Sequence, residues 1–277
     1  MDSYLPWLVG SALLRDRQWL VASTVCFLLS FAYTAGTLGD RQRYSQWWNL
    51  GVVALGFALQ TVFLALRGHA VGRCPLTNHF EVVAFLSWGM VLFYLAIGNT
   101  YRLSPLGLFT APLAFGLQMF ALGLDDWTPG EERVHHAGVN PSLEFHAAFS
   151  VLSFGAFALA ALAGGMYLWQ ERQLKSHRLK LLFFQLPPIS DLSRLNARLL
   201  AFGLALLTLG LAAGFNMGTP NTRAHLIWAI VIWALYAFLV QARWGRWRLA
   251  PRRVASLSVA AFTVALLTLG GLSFVRV

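Results

Sequence analysis

Three short stretches place a histidine at the start of an apolar run, two of them with a carboxylate beside it. In Gly72-Arg-Cys-Pro-Leu-Thr-Asn-His-Phe-Glu, the residues Pro75, Asn78, His79 and Glu81 precede a run that carries no further charge up to Met90. Capping explains part of this pattern: Pro75 fixes the entering chain, Asn78 is a helix cap, and Glu81 complements the helix dipole. It does not explain His79, which is either a metal ligand or an interfacial side chain. In Pro141-Ser-Leu-Glu-Phe-His, Glu144 and His146 open a second run, and His146 lies one turn inside it. Neutral imidazole is the commonest metal ligand, so His146 is the leading candidate for holding a metal or haem iron, with His79 second. His225 opens a third run after Gly218-Thr-Pro-Asn-Thr-Arg, with Trp228 and Trp233 following. His69 and the adjacent pair His135 and His136 are secondary candidates. The pair sits among acidic residues, where it either binds metal weakly or is simply solvated.

The elements that position these residues follow from composition. Hydrophobic residues make up 57% of the 277-residue chain and charged residues 12%, about half the charged share of a soluble domain. The apolar residues come in blocks of membrane-spanning length. Lipid cannot satisfy free backbone groups, so the spanning elements are helices. The expectation is an all-α polytopic membrane bundle of about eight spans, near 19–38, 47–66, 82–98, 106–124, 145–169, 199–215, 226–240 and 254–274. Residues 1–18, apolar in part but interrupted by Pro6 and Gly10, form an interfacial segment ahead of a single membrane domain over 19–277. An acidic start without a small-residue cleavage site predicts no removable signal peptide.

Loop charge orients the bundle. The loops holding Arg41, Arg43 and Arg102, then 172–198, then 243–253, carry fourteen of the 21 basic residues. By the positive-inside bias these loops are cytoplasmic and both termini lie outside. Six of the seven histidines then fall at the outer face, all except His177. The net charge of +10 records topology and contact with membrane lipids, and the scatter of basic residues between apolar blocks excludes nucleic acid as a partner. Cys26 and Cys74 are unlinked by this reading, and no Cys-x-x-Cys-His site makes the chain itself a c-type cytochrome. No nucleophile elbow, phosphate-cradling loop or His-Glu-x-x-His helix occurs, which removes the common hydrolase and transferase classes. Small residues along 147–164 read as close helix packing.

The motif at 72–81, leading into Phe85-Leu-Ser-Trp88, resembles the Pro-Leu-Ser-Asn-x-Tyr-Glu…Phe-Leu-Ser-Trp stretch of the CcsA-type cytochrome c assembly proteins. Glu144-Phe-His-Ala-Ala-Phe-Ser-Val-Leu-Ser-Phe-Gly is similar to the helix that begins with that family's first external haem-ligand histidine. Leu186-Pro-Pro-Ile-Ser-Asp-Leu-Ser-Arg-Leu and the following span resemble the same family and its HemX/YpjD-like relatives. The resemblance runs from about residue 45 to the end. It implies a multi-pass protein of the bacterial-type inner membrane whose histidine-rich, extracytoplasmic face handles b-type haem. A membrane partner of a cytochrome c assembly system and an apocytochrome c are the implied partners. The chain also departs from the complete pattern. The tryptophan-rich haem segment would fall in 215–224, which has no tryptophan; the second external histidine would fall in 270–274, which has none; and Gln241 stands near the expected membrane histidine. This is closer to the HemX/YpjD-like branch.

These features together predict a haem-handling biogenesis factor and not a stand-alone lyase. His146 is the first haem ligand, with His79 or His225 opposite, and Trp88, Trp228 and Glu81 lie nearby in sequence terms. The alternatives are a non-catalytic membrane subunit or regulator that stabilises a partner, and a small-molecule permease, which the absence of mid-membrane charge disfavours.

Overall fold

The computed structural model describes residues 5–37, 45–101, 104–124, 141–176, 187–215, 222–245 and 249–274. Among them are eight α-helices and no strand: α1 Leu5–Gly36, α2 Gln46–Val71, α3 His79–Tyr101, α4 Ser104–Leu122, α5 Pro141–Ser176, α6 Ile189–Gly214, α7 Thr222–Trp244 and α8 Pro251–Phe274. Six helices have stretches long and apolar enough to cross a membrane: α1 from Asp16, α2, α3 as far as Ile97, α5, α6, and α7 from Ile227. α4 adds a shorter apolar stretch, Phe109–Leu122. The all-α polytopic bundle expected from composition is therefore the architecture observed. Large apolar side chains on the outer faces, among them Leu29, Leu55, Leu209 and Ile227, are exposed, as lipid-facing positions of a spanning helix are.

The chain divides into two compact units, Met1–Glu144 and Phe145–Val277. In the first, α1 packs along α2 and α4, and α3 packs on α4 and α2. Hydrophobic contact supplies little drive between helices already in lipid, so close packing and interhelical hydrogen bonds must set the register. The buried polar side chains do this in layers. Ser23 Oγ donates to the Gly56 carbonyl at 2.8 Å, and Gln118 Nε2 donates to Ser23 Oγ at 3.2 Å. Thr24 Oγ1 lies 2.7 Å from Gln118 Oε1, and Gln60 Nε2 donates to the Ala84 carbonyl at 2.9 Å. Nearer the other end, Ser30 and Thr34 both donate to Asn49 Oδ1, at 2.7 and 3.2 Å. An apolar cluster of Leu20, Phe63, Leu64, Phe80, Ala84 and Ala121 fills the adjoining space. The ends of α2 are set locally. Ser45 Oγ accepts from the Trp48 N–H, and Gly72 ends the helix with φ of 69°, a left-handed conformation that glycine adopts without steric cost.

In the second unit α6 packs on α7 and α8, and α7 on α8. Asn196 Nδ2 donates to the Ala160 carbonyl at 2.7 Å and to Ser258 Oγ at 2.9 Å, which ties α6 to α5 and α8. Gly203 lets α6 close on the ring of Phe157, where an added Cβ would lie 2.5 Å from Cε1. The same ring stacks on Tyr236, with centroids 3.5 Å apart.

Gly203→Ala forces a methyl against an aromatic ring that is already stacked on Tyr236. It should cost about 1–3 kcal/mol, read as a lower midpoint of thermal unfolding in detergent. Gly51→Ala meets nothing within 4 Å and should leave the midpoint level or slightly raised. Equal effects at the two positions would show that the α5–α6 contact is not close.

Candidate functional site

Glu81 lies in the first turn of α3, where a carboxylate complements the helix dipole, but its surroundings go well beyond that role. The side chain is fully buried, and its Oε1 accepts from Arg67 Nε at 2.7 Å. Its Oε2 accepts from both the Thr77 N–H and Thr77 Oγ1 at 2.7 Å. Asn78 caps α3 as expected, with Oδ1 accepting from the Glu81 N–H at 2.8 Å. Arg67 Nη1 reaches Asp16 Oδ2 at 3.5 Å, and its guanidinium lies 5.7 Å above the Phe80 ring. Arg67 is 2% exposed and is a core residue of α2. One guanidinium thus joins the middle of α1 to the end of α2 and the start of α3. Sequence reasoning missed Asp16 and Arg67 as partners. The available signal was spacing: Asn49, Gly56, Gln60, Phe63 and Arg67 recur at helical intervals and are all buried on one stripe of α2.

The sequence-predicted residues distribute unevenly around this cluster. His79 begins α3 and is exposed, as is His69 near the end of α2. Trp88 donates through Nε1 to Thr61 Oγ1 at 2.9 Å and stacks on Phe57, which gives it a helix-packing role. In the second unit, His146 is half-buried on α5, with Nδ1 2.8 Å from the Gly210 carbonyl oxygen. A carbonyl only accepts, so Nδ1 carries a proton, and in the neutral imidazole Nε2 keeps its lone pair. Gly210 permits this approach, since a Cβ there would lie 3.0 Å from Ser150 Oγ. A carbonyl-bound Nδ1–H is the arrangement that orients an imidazole for ligation through Nε2. Trp228 is 43% exposed on α7. His225 is in the first turn of α7, but its side chain lies outside the described residues. His135 and His136 lie outside them altogether. Among the described residues no group of three or more His, Cys, Asp or Glu could hold a metal ion. His146 and His79 belong to different units.

Two outcomes follow from this geometry. Arg67→Met strands two buried carboxylates and should cost about 3–5 kcal/mol, read as thermal destabilisation in detergent. Arg67→Lys should recover little of the loss, because a point charge cannot reproduce the Nε and Nη1 fork. In the loop before α3, burial, reinforced by the carboxylates of Glu144 and Glu81, pushes the Cys74 thiol up to about 11. The neutral thiol therefore dominates below that pH. Alkylation by iodoacetamide should be slow at about pH 8 and rise roughly tenfold per pH unit towards 11, because the thiolate is the nucleophile. A rate that levels off near pH 9 would contradict this burial.

Comparison with known proteins matches residues 76–276 to a family described as cytochrome C assembly protein. Protein HemX of Brevibacillus brevis is 29% identical over 168 residues, covering 61% of this chain and 61% of the relative. Protein HemX of Bacillus subtilis (strain 168) is 27% identical over 187 residues, or 66% of this chain and 61% of the relative. The cytochrome c biogenesis protein CcsA of Trichormus variabilis is 31% identical over 116 residues, covering 41% of this chain and 33% of the relative. The chain thus spans about three-fifths of the length of the HemX relatives that it matches. With a multi-helix membrane fold, the motif order at 72–195 and a family match over most of its length, the chain belongs to the cytochrome c assembly protein family.

Proposed function

We propose that this protein handles haem during cytochrome c assembly or haem-protein biogenesis, and presents it at the extracytoplasmic face of a bacterial-type inner membrane. The observation that carries the proposal is the His146 imidazole, whose Nδ1–H is held by the Gly210 carbonyl at 2.8 Å. That hydrogen bond fixes the ring and leaves Nε2 as a basic donor, which suits an axial position of haem iron. The second axial ligand is His225 or His79. Bound b-type haem would supply the iron and its redox chemistry. The chain's own residues would orient the ligand imidazole, surround the ring with apolar side chains and exclude water. The interfacial placement of residues 1–18, a single functional membrane domain over 19–277, both termini outside, and roles for apocytochrome c and a membrane partner belong to the same proposal. A second reading, a non-catalytic subunit that stabilises a partner, is favoured by the tryptophan-free stretch at 215–224.

The test is a reduced-minus-oxidised spectrum of detergent-purified protein with a pyridine haemochrome assay. A b-type band in the wild type, abolished in His146→Ala, is the expected result. Gly210→Ala should retain the fold but weaken haem affinity roughly 10–100-fold, the usual cost of disturbing the group that orients a ligand. No band after haem is supplied during purification would remove the haem reading and leave the partner subunit.

A further inference from the structure

We infer that the two units are tandem copies of one repeat, with α1–α3 matching α5–α7, and that the position held by His146 in the second copy is taken in the first by the cluster of Asp16, Arg67 and Glu81. A set of contacts recurs at constant sequence offsets. On α2 and α6, Asn49, Ala54, Gly56, Ala58, Leu59, Thr61, Leu64 and Ala65 reappear 147 positions later as Asn196, Ala201, Gly203, Ala205, Leu206, Thr208, Leu211 and Ala212. On α1 and α5 the offset is 130, pairing Val21, Ser23, Phe27 and Leu29 with Val151, Ser153, Phe157 and Leu159. On α3 and α7 it is 145, pairing Ala84, Trp88 and Phe93 with Ala229, Trp233 and Phe238.

Identity at such offsets could arise by chance among apolar helices, but the contacts agree as well. Gly56 meets the ring of Phe27, and Gly203 meets the ring of Phe157. Trp88 Nε1 donates to Thr61 Oγ1, which donates to the Phe57 carbonyl; Trp233 Nε1 donates to Thr208 Oγ1, which donates to the Leu204 carbonyl. Asn49 bonds Ser30 on α1, and Asn196 bonds the carbonyl of Ala160, the matching residue on α5. Each pair uses the same offsets, so the α1–α2 and α2–α3 contacts recur in register as α5–α6 and α6–α7.

The same offsets locate the divergence. Asp16 corresponds to His146, Arg67 to Gly214 and Glu81 to Leu226. Leu20 and Phe63, which pack in one apolar cluster, correspond to Ser150 and Gly210, the pair whose small size brings His146 to the Gly210 carbonyl. The first copy therefore fills with a guanidinium and two carboxylates the place where the second carries an imidazole beside glycine. On this account the ion triad limits the chain to a single ligand site. That last step rests on the haem reading proposed above, whereas the equivalence of the two sites does not.

Charge rescue in the full chain tests the equivalence. Gly214→Arg alone buries an unpaired guanidinium and should lower the unfolding midpoint on the order of 10 °C. Adding His146→Asp and Leu226→Glu should recover most of that loss, because the three positions then carry the partners that close the first copy. Gly214→Arg with Ala147→Asp and Ile227→Glu, each one residue out of register, should not recover. Failure of the in-register triple variant to recover, or equal recovery by the out-of-register one, overturns the inference. Haem titration of the wild type should saturate at one haem per chain, and uptake of two would overturn the closure of the first site. If the wild type itself takes up no haem, the haem reading fails, and the midpoints still decide the repeat.

Discussion

Helices that already sit in lipid gain little by exchanging apolar lipid contacts for apolar protein contacts, so a small number of polar and steric fits must choose their register. In this protein those fits are buried side-chain hydrogen bonds and glycine–aromatic contacts, and the rest of each unit is arranged around them. Asn49 gathers Ser30 and Thr34 from α1, and Asn196 gathers the Ala160 carbonyl and Ser258 from α5 and α8. Slipping either helix by one residue would strand amide groups where no water can compensate them, at a cost well above that of an exposed polar group.

The Asp16–Arg67–Glu81 cluster is the extreme case of this constraint. Burying three charges is costly in itself, and it is tolerated because every partner is present: two carboxylates share one guanidinium, while Thr77 and Asn78 satisfy the remaining oxygen and the helix start. Such a cluster adds specificity, since α1, α2 and α3 can meet in only one register. His146 has the opposite character. Its ring is held through one nitrogen, and the other is left with a lone pair. A fully paired cluster suits a structural joint, and a half-paired imidazole suits a ligand site.

The recurrence of asparagine, glycine and threonine at one offset on α2 and α6 gives this contrast a history. Two copies under the same packing constraint keep the residues that set register. They are free to differ at the helix-end site, where register is already secured. The stacked Phe157 and Tyr236 rings show the same freedom, because the position matching Tyr236 on α3 is the buried aliphatic Val91.

The amino-acid sequence alone determined the class of this protein. Long apolar blocks in a medium that cannot hydrogen-bond the backbone must be helices, and the ordered motifs around His79, His146 and 186–195 carried the family. It also located the cap of α3, because Asn78 acts through a neighbour three residues away. Tertiary structure decided what those residues do. Glu81 read as a dipole partner until Arg67, fourteen residues earlier, closed on it. Trp88 read as a candidate near the ligand until Thr61 took its N–H. His146 acquired a defined tautomer only from Gly210, 64 residues away. Local pattern reports which face of a helix is apolar. It does not report which residue of another helix lies opposite, and in a membrane that pairing is where the energy of a polar side chain is decided.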